Sequence, residues 1–124
     1  FQNMPIVRVL TNVKNEDIPS DFEIKLTDVL ADSMDKPRDK IIVQVVPGIR
    51  MVFGQQPGRG CHITIKTIGS LGEQLNIQHT KRVSDFLFAT LKISKEQVVI
   101  DYHDLTPVQI GINGTTVADA IAHQ

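Results

Sequence analysis

Cysteine is almost missing from this chain: Cys61 is the only one in 124 residues. No internal disulfide can form, so the fold must stand on packing alone, which suits a reducing compartment without excluding release by a leaderless route. Long apolar runs are missing too. No stretch approaches the roughly 20 apolar residues of a membrane-spanning helix, and no basic start followed by a hydrophobic segment marks a secretory signal. A positive excess is also lacking. The net charge is −1 and the pI about 6.5, so no bulk field gathers a polyanion or an acidic membrane, and neither nucleic acid nor membrane is an expected partner. His62, His79, His103 and His123 show no metal-ligand spacing, so surface or structural roles are expected for them, with no metal and no cofactor. Gly54 to Gly60 lacks the Gly-Lys-Ser/Thr ending of a phosphate cradle and reads as a flexible loop.

What is present is a chain with 41% hydrophobic and 22% charged residues, the size of one globular domain able to bury its own core. Phe1-Gln2-Asn3 has the look of a cleaved tag and Met4 of an initiator, so residues 1–4 read as a leader and 5–124 as a single domain. Pro5 to Thr11, with Val7 and Val9 alternating against Arg8, reads as a strand with proline at its first position, where a missing N–H costs least. Ser20 followed by Glu23 forms a capping-box pattern. Phe22, Leu26, Val29, Leu30 and Met34 then fall on one stripe of a helix from about Ser20 to Met34, stopped by Pro37. Ile41 to Val46 is nearly continuous β-branched sequence, expected to be covered on both faces. Met51 begins a short strand that passes into the glycine-rich loop.

Cys61 to Ile68 alternates as a strand with Ile63 and Ile65 on one face. Ile77, Thr80, Val83, Leu87 and Leu91 recur at helical spacing, giving a second amphipathic helix. Gln97 to Tyr102 is a further strand. Pro107 sits in a loop, Gln109 to Ile112 is extended, and Asn113-Gly114 is a turn pair, a reading that outweighs Asn113-Gly114-Thr115 as a glycosylation acceptor. From Val117 onward the tail is alanine-rich, either helical or loose. Pro5 and His62 open matching strands about 57 residues apart, and Lys40 to Val43 matches Gln97 to Ile100 at the same offset. A duplicated β-α-β unit of α+β class follows, a four-stranded sheet with both helices on one face. The other face is expected to be too apolar for water, and oligomerisation would cover it.

If the chain is processed so that Pro5 comes first, its nitrogen is a secondary amine and hence a base. A terminal amine has a pKa of roughly 8, and an apolar setting beside cations lowers it toward neutrality. Such a group can abstract a proton next to a carbonyl. With residues 1–4 attached, Pro5 is an amide: that form is expected to be inactive, its leader lying near its own pocket mouth.

Several features together resemble the macrophage migration inhibitory factor and D-dopachrome tautomerase family, over essentially all of Pro5 to Val117. They are Met4-Pro5, Thr11-Asn12, the I-P-x-x-F pattern from Ile18 to Phe22, Lys36-Pro37, Val45 to Pro47, Phe53-Gly54, Thr67 to Gly69, and Asn113 to Thr116. Each is weak alone and the ordered set is strong; the mixture looks most like invertebrate, nematode-type members. The resemblance implies a homotrimer with its sheets in a closed central barrel, helices outside, and three active sites at subunit boundaries. It implies Pro5 as the base that interconverts keto and enol forms of phenylpyruvate- or dopachrome-like compounds, Lys36 holding the substrate carboxylate and the Ile68 backbone touching substrate. Asp101, where asparagine is common, would come from the neighbouring subunit; Ile6, Val99, Ile110 and Ile112 would line the pocket. Val99 stands where tyrosine is frequent, and Lys40, Ile112 and Val117 replace aromatic residues of the rim, so the site would be less aromatic. Gly60-Cys61-His62-Ile63 occupies the place of a Cys-x-x-Cys found in some relatives, which argues against thiol–disulfide exchange. Without the resemblance, Lys36 to Lys40 is simply a solvated loop. Two roles follow: a tautomerase, or a cytokine-like signalling protein binding a cell-surface receptor with its pocket secondary, in the cytoplasm or secreted without a leader.

Overall fold

Val7, Val9 and Thr11 are wholly buried while Arg8 between them is exposed. That alternation is the period-two signature of a strand with one packed face. In a computed structural model, which describes residues 4–123, this strand is β1 (Ile6–Thr11). Helix α1 (Phe22–Met34), β2 (Ile42–Val46), β3 (Cys61–Thr67), α2 (Glu73–Leu91) and β4 (Val98–Asp104) follow. A small C-terminal unit of β5 (Gly111–Ile112), β6 (Thr115–Thr116) and α3 (Val117–Ala122) ends the described chain.

The main sheet has the order β2-β1-β3-β4, with β1 parallel to β2, β3 parallel to β4, and β1 antiparallel to β3. Both β-α-β crossovers put their helix on the same face. There Val7, Val9, Cys61, Ile63 and Ile65 meet Phe22, Leu26, Leu30 and Met34 of α1 and Val83, Leu87 and Leu91 of α2 in one buried cluster. Phe22 and Phe86 join the two helices, their ring centroids 5.4 Å apart. At about 25 cal/mol per Å² of apolar area removed from water, this layer is the main source of stability.

Several expectations are corrected. The Ser20–Glu23 capping box does not form: α1 begins at Phe22, its N-cap Asp21 makes no side-chain cap bond, and the Phe22 N–H donates to the Pro19 carbonyl at 3.0 Å. Met51 starts no strand; Phe53 and Gln56 form only an isolated bridge. Ile77 is 58% exposed, and His79, two residues on, takes the buried position instead. The repeat also shifts. Helix-facing Val43 and Val45 in β2 match helix-facing Ile100 and Tyr102 in β4 at the expected spacing, but the same spacing would set buried Val7 against half-exposed Thr64. The first strands therefore repeat one residue off, because a slip of one turns every side chain to the opposite face.

The face away from the helices is more polar than expected. Ile42, Val46 and Val99 are 43%, 40% and 51% exposed there, so β2 is covered on one face only within this chain. Arg8, Gln44, His62, Thr64, Lys66, Asp101 and His103 occupy the same surface. The C-terminal turn is as expected: Asn113 and Gly114 have φ of 53° and 80°, the left-handed pair that a tight two-residue hairpin requires. The tail is helical, α3 being capped by the Thr116 hydroxyl, which accepts from the Asp119 N–H at 3.0 Å.

Candidate functional site

Pro5 lies buried just before β1, and its carbonyl accepts the Ile42 N–H at 2.9 Å. The β1–β3 register, with Ile6 opposite Lys66, brings Pro5 level with Thr67 and thus beside Ile68. In the chain as it stands, Met4 acylates the Pro5 nitrogen. The proposed position of a leader across the pocket involves residues 1–3, which lie outside the described residues.

Lys36 reaches the same corner from the other side. Helix α1 ends at Met34 because Asp35 turns left-handed at φ 55°, and Pro37 is poor as a continuation. That turn throws Lys36 toward the β3–α2 connection, where its Nζ donates to the Ile68 carbonyl at 3.5 Å. Burial lowers the Lys36 pKa, with neighbouring Asp35 opposing the shift. A partly desolvated ammonium beside a backbone carbonyl can take a carboxylate as an additional partner. Thus three of the sequence-predicted residues, Pro5, Lys36 and Ile68, converge at one end of the sheet.

The turn they share is held by groups that the sequence does not announce. Ser70 has φ 64°, a conformation that costs a non-glycine residue free energy. Its hydroxyl donates to the Met34 carbonyl at 3.0 Å, and its carbonyl accepts from His79 Nε2 at 2.8 Å. His79 is fully buried, and its Nδ1 lies 2.6 Å from the Ser33 hydroxyl. Thr67, also fully buried, has a hydroxyl with no hydrogen-bond partner among the described residues.

Other predicted residues lie elsewhere. Asp101 sits in β4 opposite Thr64, on the sheet face away from the helices. One carboxylate oxygen bonds His62 Nε2 at 2.5 Å and accepts from the Thr64 hydroxyl at 3.3 Å, while the other bonds His103 Nε2. Partial burial tends to raise its pKa, but the hydrogen bonds and charge of the two histidines together hold it below the usual carboxylate value. Sequence reasoning found neither histidine as a partner: His62 meets Asp101 only through the β3–β4 register, and His103, two residues along β4 from Asp101, shares its face by strand alternation. Val99 shares that open face, and Ile6 is half-buried in β1. Neither Asp101 nor Val99 is brought to Pro5 of its own chain.

Ile110 and Ile112 belong to the C-terminal unit: the Ile110 carbonyl accepts the Val117 N–H at 2.9 Å, and Ile112 pairs with Thr115. This unit departs from the Pro5 corner, since the Leu105 N–H donates to the Thr67 carbonyl at 2.8 Å. Val117, a replaced rim aromatic in the family comparison, is fully buried here. Cys61 is buried in the core, its thiol pKa pushed up to about 12 by desolvation. A groove of about 660 Å³ between α2 and the β4 edge, lined by Asn76, Ile77, Thr80, Lys81, Lys95 and Val98 among others, includes none of the candidate residues. Among the described residues there is no group of three or more His, Cys, Asp or Glu that could hold a metal ion, and no helix is long and apolar enough to cross a membrane.

Comparison with known proteins places this geometry in context. A profile described as "Macrophage migration inhibitory factor (MIF)" matches residues 4–118. The MIF-like protein mif-2 of Caenorhabditis elegans is 48% identical over 117 residues, covering 94% of this chain and 98% of that protein. D-dopachrome decarboxylase of Gallus gallus is 33% identical over 115 residues, covering 92% and 98%. The structure of the macrophage migration inhibitory factor from Trichinella spiralis superposes with a TM-score of 0.85 at 28% identity, covering 90% of this chain and 98% of that one.

Proposed function

Because this chain belongs to the macrophage migration inhibitory factor family, we propose that its mature form, beginning at Pro5, is a keto–enol tautomerase of phenylpyruvate- or dopachrome-like compounds. The observation that carries this reading is the approach of Lys36 Nζ to the Ile68 carbonyl at the Pro5 end of the sheet. The Pro5 amine takes a proton from the carbon next to the substrate carbonyl, the C–H electron pair becomes the new carbon–carbon double bond as the carbonyl pair moves onto oxygen, and the proton carried by Pro5 is delivered to that oxygen to complete the enol; ketonisation runs the same transfers from oxygen back to carbon. Lys36 holds the substrate carboxylate and favours the uncharged amine through its own charge. Ile68 fixes the substrate through its backbone.

Asp101 enters this site only from another copy, since within one chain it lies on the sheet face opposite the helices. A homotrimer with its sheets turned inward would supply it and would cover Ile42, Val46 and Val99, whose exposure supports the assembly. Its carboxylate is an acceptor already tied to His62 and His103, so it cannot donate to a substrate oxygen as an asparagine would. A second reading, a cytokine-like protein acting on a cell-surface receptor after leaderless release, is favoured by the several relatives named macrophage migration inhibitory factor.

The test compares phenylpyruvate tautomerisation by protein beginning at Pro5, by the chain with residues 1–4 attached, and by Pro5→Gly. Activity in the first alone is expected. Equal activity in all three would remove Pro5 as the base. Equal inactivity would remove the tautomerase reading for this substrate class and leave the signalling role in front.

A further inference from the structure

We propose that His79 is a positioning residue for the Pro5 corner, and that its Nε2–H bond to the Ser70 carbonyl holds the turn presenting Ile68 to a substrate. This rests on the tautomerase reading for its functional consequence and on geometry for the rest. A histidine in an amphipathic helix would ordinarily point to water; this one is completely buried. Both ring nitrogens are engaged, and they engage different parts of the site. Nε2, at 2.8 Å from a carbonyl oxygen, must carry the hydrogen, because a carbonyl only accepts. In the neutral ring Nδ1 then accepts from the Ser33 hydroxyl at 2.6 Å.

The bonds form a closed frame. Ser33 and Met34 are the last two residues of α1, three and two residues before Lys36, which follows the left-handed Asp35. Ser70 follows Ile68 by two residues in the β3–α2 connection. His79 ties Ser33 to the Ser70 carbonyl, Ser70 ties itself to Met34, and Lys36 closes the frame on Ile68. Every residue expected to hold the substrate carboxylate therefore sits on one of the two segments that His79 joins. The left-handed φ of Ser70 needs such a frame, because a serine without hydrogen-bond support relaxes out of that sparsely populated conformation. A relaxed Ser70 swings the Ile68 carbonyl away from Lys36. The chemistry at Pro5, on the neighbouring strand, is untouched.

Two variants separate the two bonds. His79→Gln places an amide donor near Nε2 and keeps the Ser70 bond; His79→Asn places its polar atoms near Nδ1 and keeps only the Ser33 bond. Both shrink a buried ring, so general destabilisation is common to them. In protein beginning at Pro5, His79→Asn is expected to raise KM for phenylpyruvate about tenfold with kcat within about twofold, while His79→Gln stays near the wild-type KM. Amide hydrogen exchange across 68–72 is expected to quicken about tenfold in His79→Asn only. Equal exchange in this turn for both variants, or a loss confined to kcat, overturns the proposal. Should the unaltered protein prove inactive, the tautomerase reading falls, and the exchange comparison still decides whether His79 holds the turn.

Discussion

Replacing Thr67 by valine is expected to stabilise this protein, and the reason lies in one unsatisfied hydroxyl. Thr67 is fully buried at the end of β3, and its Oγ1 has no hydrogen-bond partner among the described residues. An unpaired buried polar group costs about 1–3 kcal/mol in lost solvation. Valine has nearly the same shape, so no cavity opens, and the backbone pairing of β3 with β1 and β4 is retained. Its strand propensity is also favourable. Taking the lower end of that range, Thr67→Val should gain about 1 kcal/mol, which for a chain of this size corresponds to a rise in Tm of about 4 °C. The measurement is thermal unfolding by circular dichroism, with both proteins at one concentration because any assembly makes Tm concentration-dependent. A decrease in Tm of more than about 1 °C would refute the reasoning, since it would mean the hydroxyl has a partner. The register puts Thr67 level with Pro5, so repeating the comparison with protein beginning at Pro5 asks whether the freed amine is that partner. A gain confined to the form carrying residues 1–4 would identify it.

Two further outcomes follow from the same structure. Cys61, buried and with its thiol pKa pushed up to about 12, should react with iodoacetamide at pH 8 no faster than the protein unfolds; rapid labelling in native buffer, followed by mass spectrometry, would contradict its place in the core. Asp101, whose carboxyl is held below its ordinary value by His62 and His103, contributes stability that is present above the unfolded value near 3.9 and is lost as pH falls through its lower folded value. Because the pair partners are 39–50% exposed, that contribution should be no more than about 1 kcal/mol, and denaturant titrations between pH 5 and 2 should show a shallower acid loss in Asp101→Asn than in the unaltered protein.

Local patterns carried most of the fold. The alternation of Val7 and Val9 around Arg8 and the stripe from Phe22 to Met34 each reflect a side-chain period that neighbours in sequence impose on one another, whereas the continuous run at Ile41 to Val46 marks a strand without revealing that one of its faces is open. These were legible without coordinates, as was the left-handed pair Asn113-Gly114. Helix edges were less so. Ser20 and Glu23 have the composition of a capping box, yet the backbone bond from Phe22 to Pro19 starts the helix two residues later. In α2, Ile77 turns to solvent rather than to the core, and His79, for which a surface or a structural role was open, takes the structural one, its ring bonded to the β3–α2 turn at Ser70. The repeat failed by one residue for a similar reason: identity along the chain does not reveal which face a strand packs.

The candidate site divides along the same line. Pro5 as a potential terminal base, and Lys36 and Ile68 as its companions, came from the order of residues and their family resemblance. That Lys36 reaches Ile68, that His79 joins Ser33 to Ser70, and that His62 meets Asp101 depends on contacts spanning 9 to 46 residues of chain, whereas His103 shares the Asp101 face through the local alternation of β4. By itself the sequence determined the two β-α-β units, their apolar faces and the single core they share, because burial periodicity is a local property. Only the tertiary structure decided which polar groups meet at the Pro5 corner and which lie on the open face, because strand order, register and helix rotation are fixed by the packing of the whole layer rather than by any one segment.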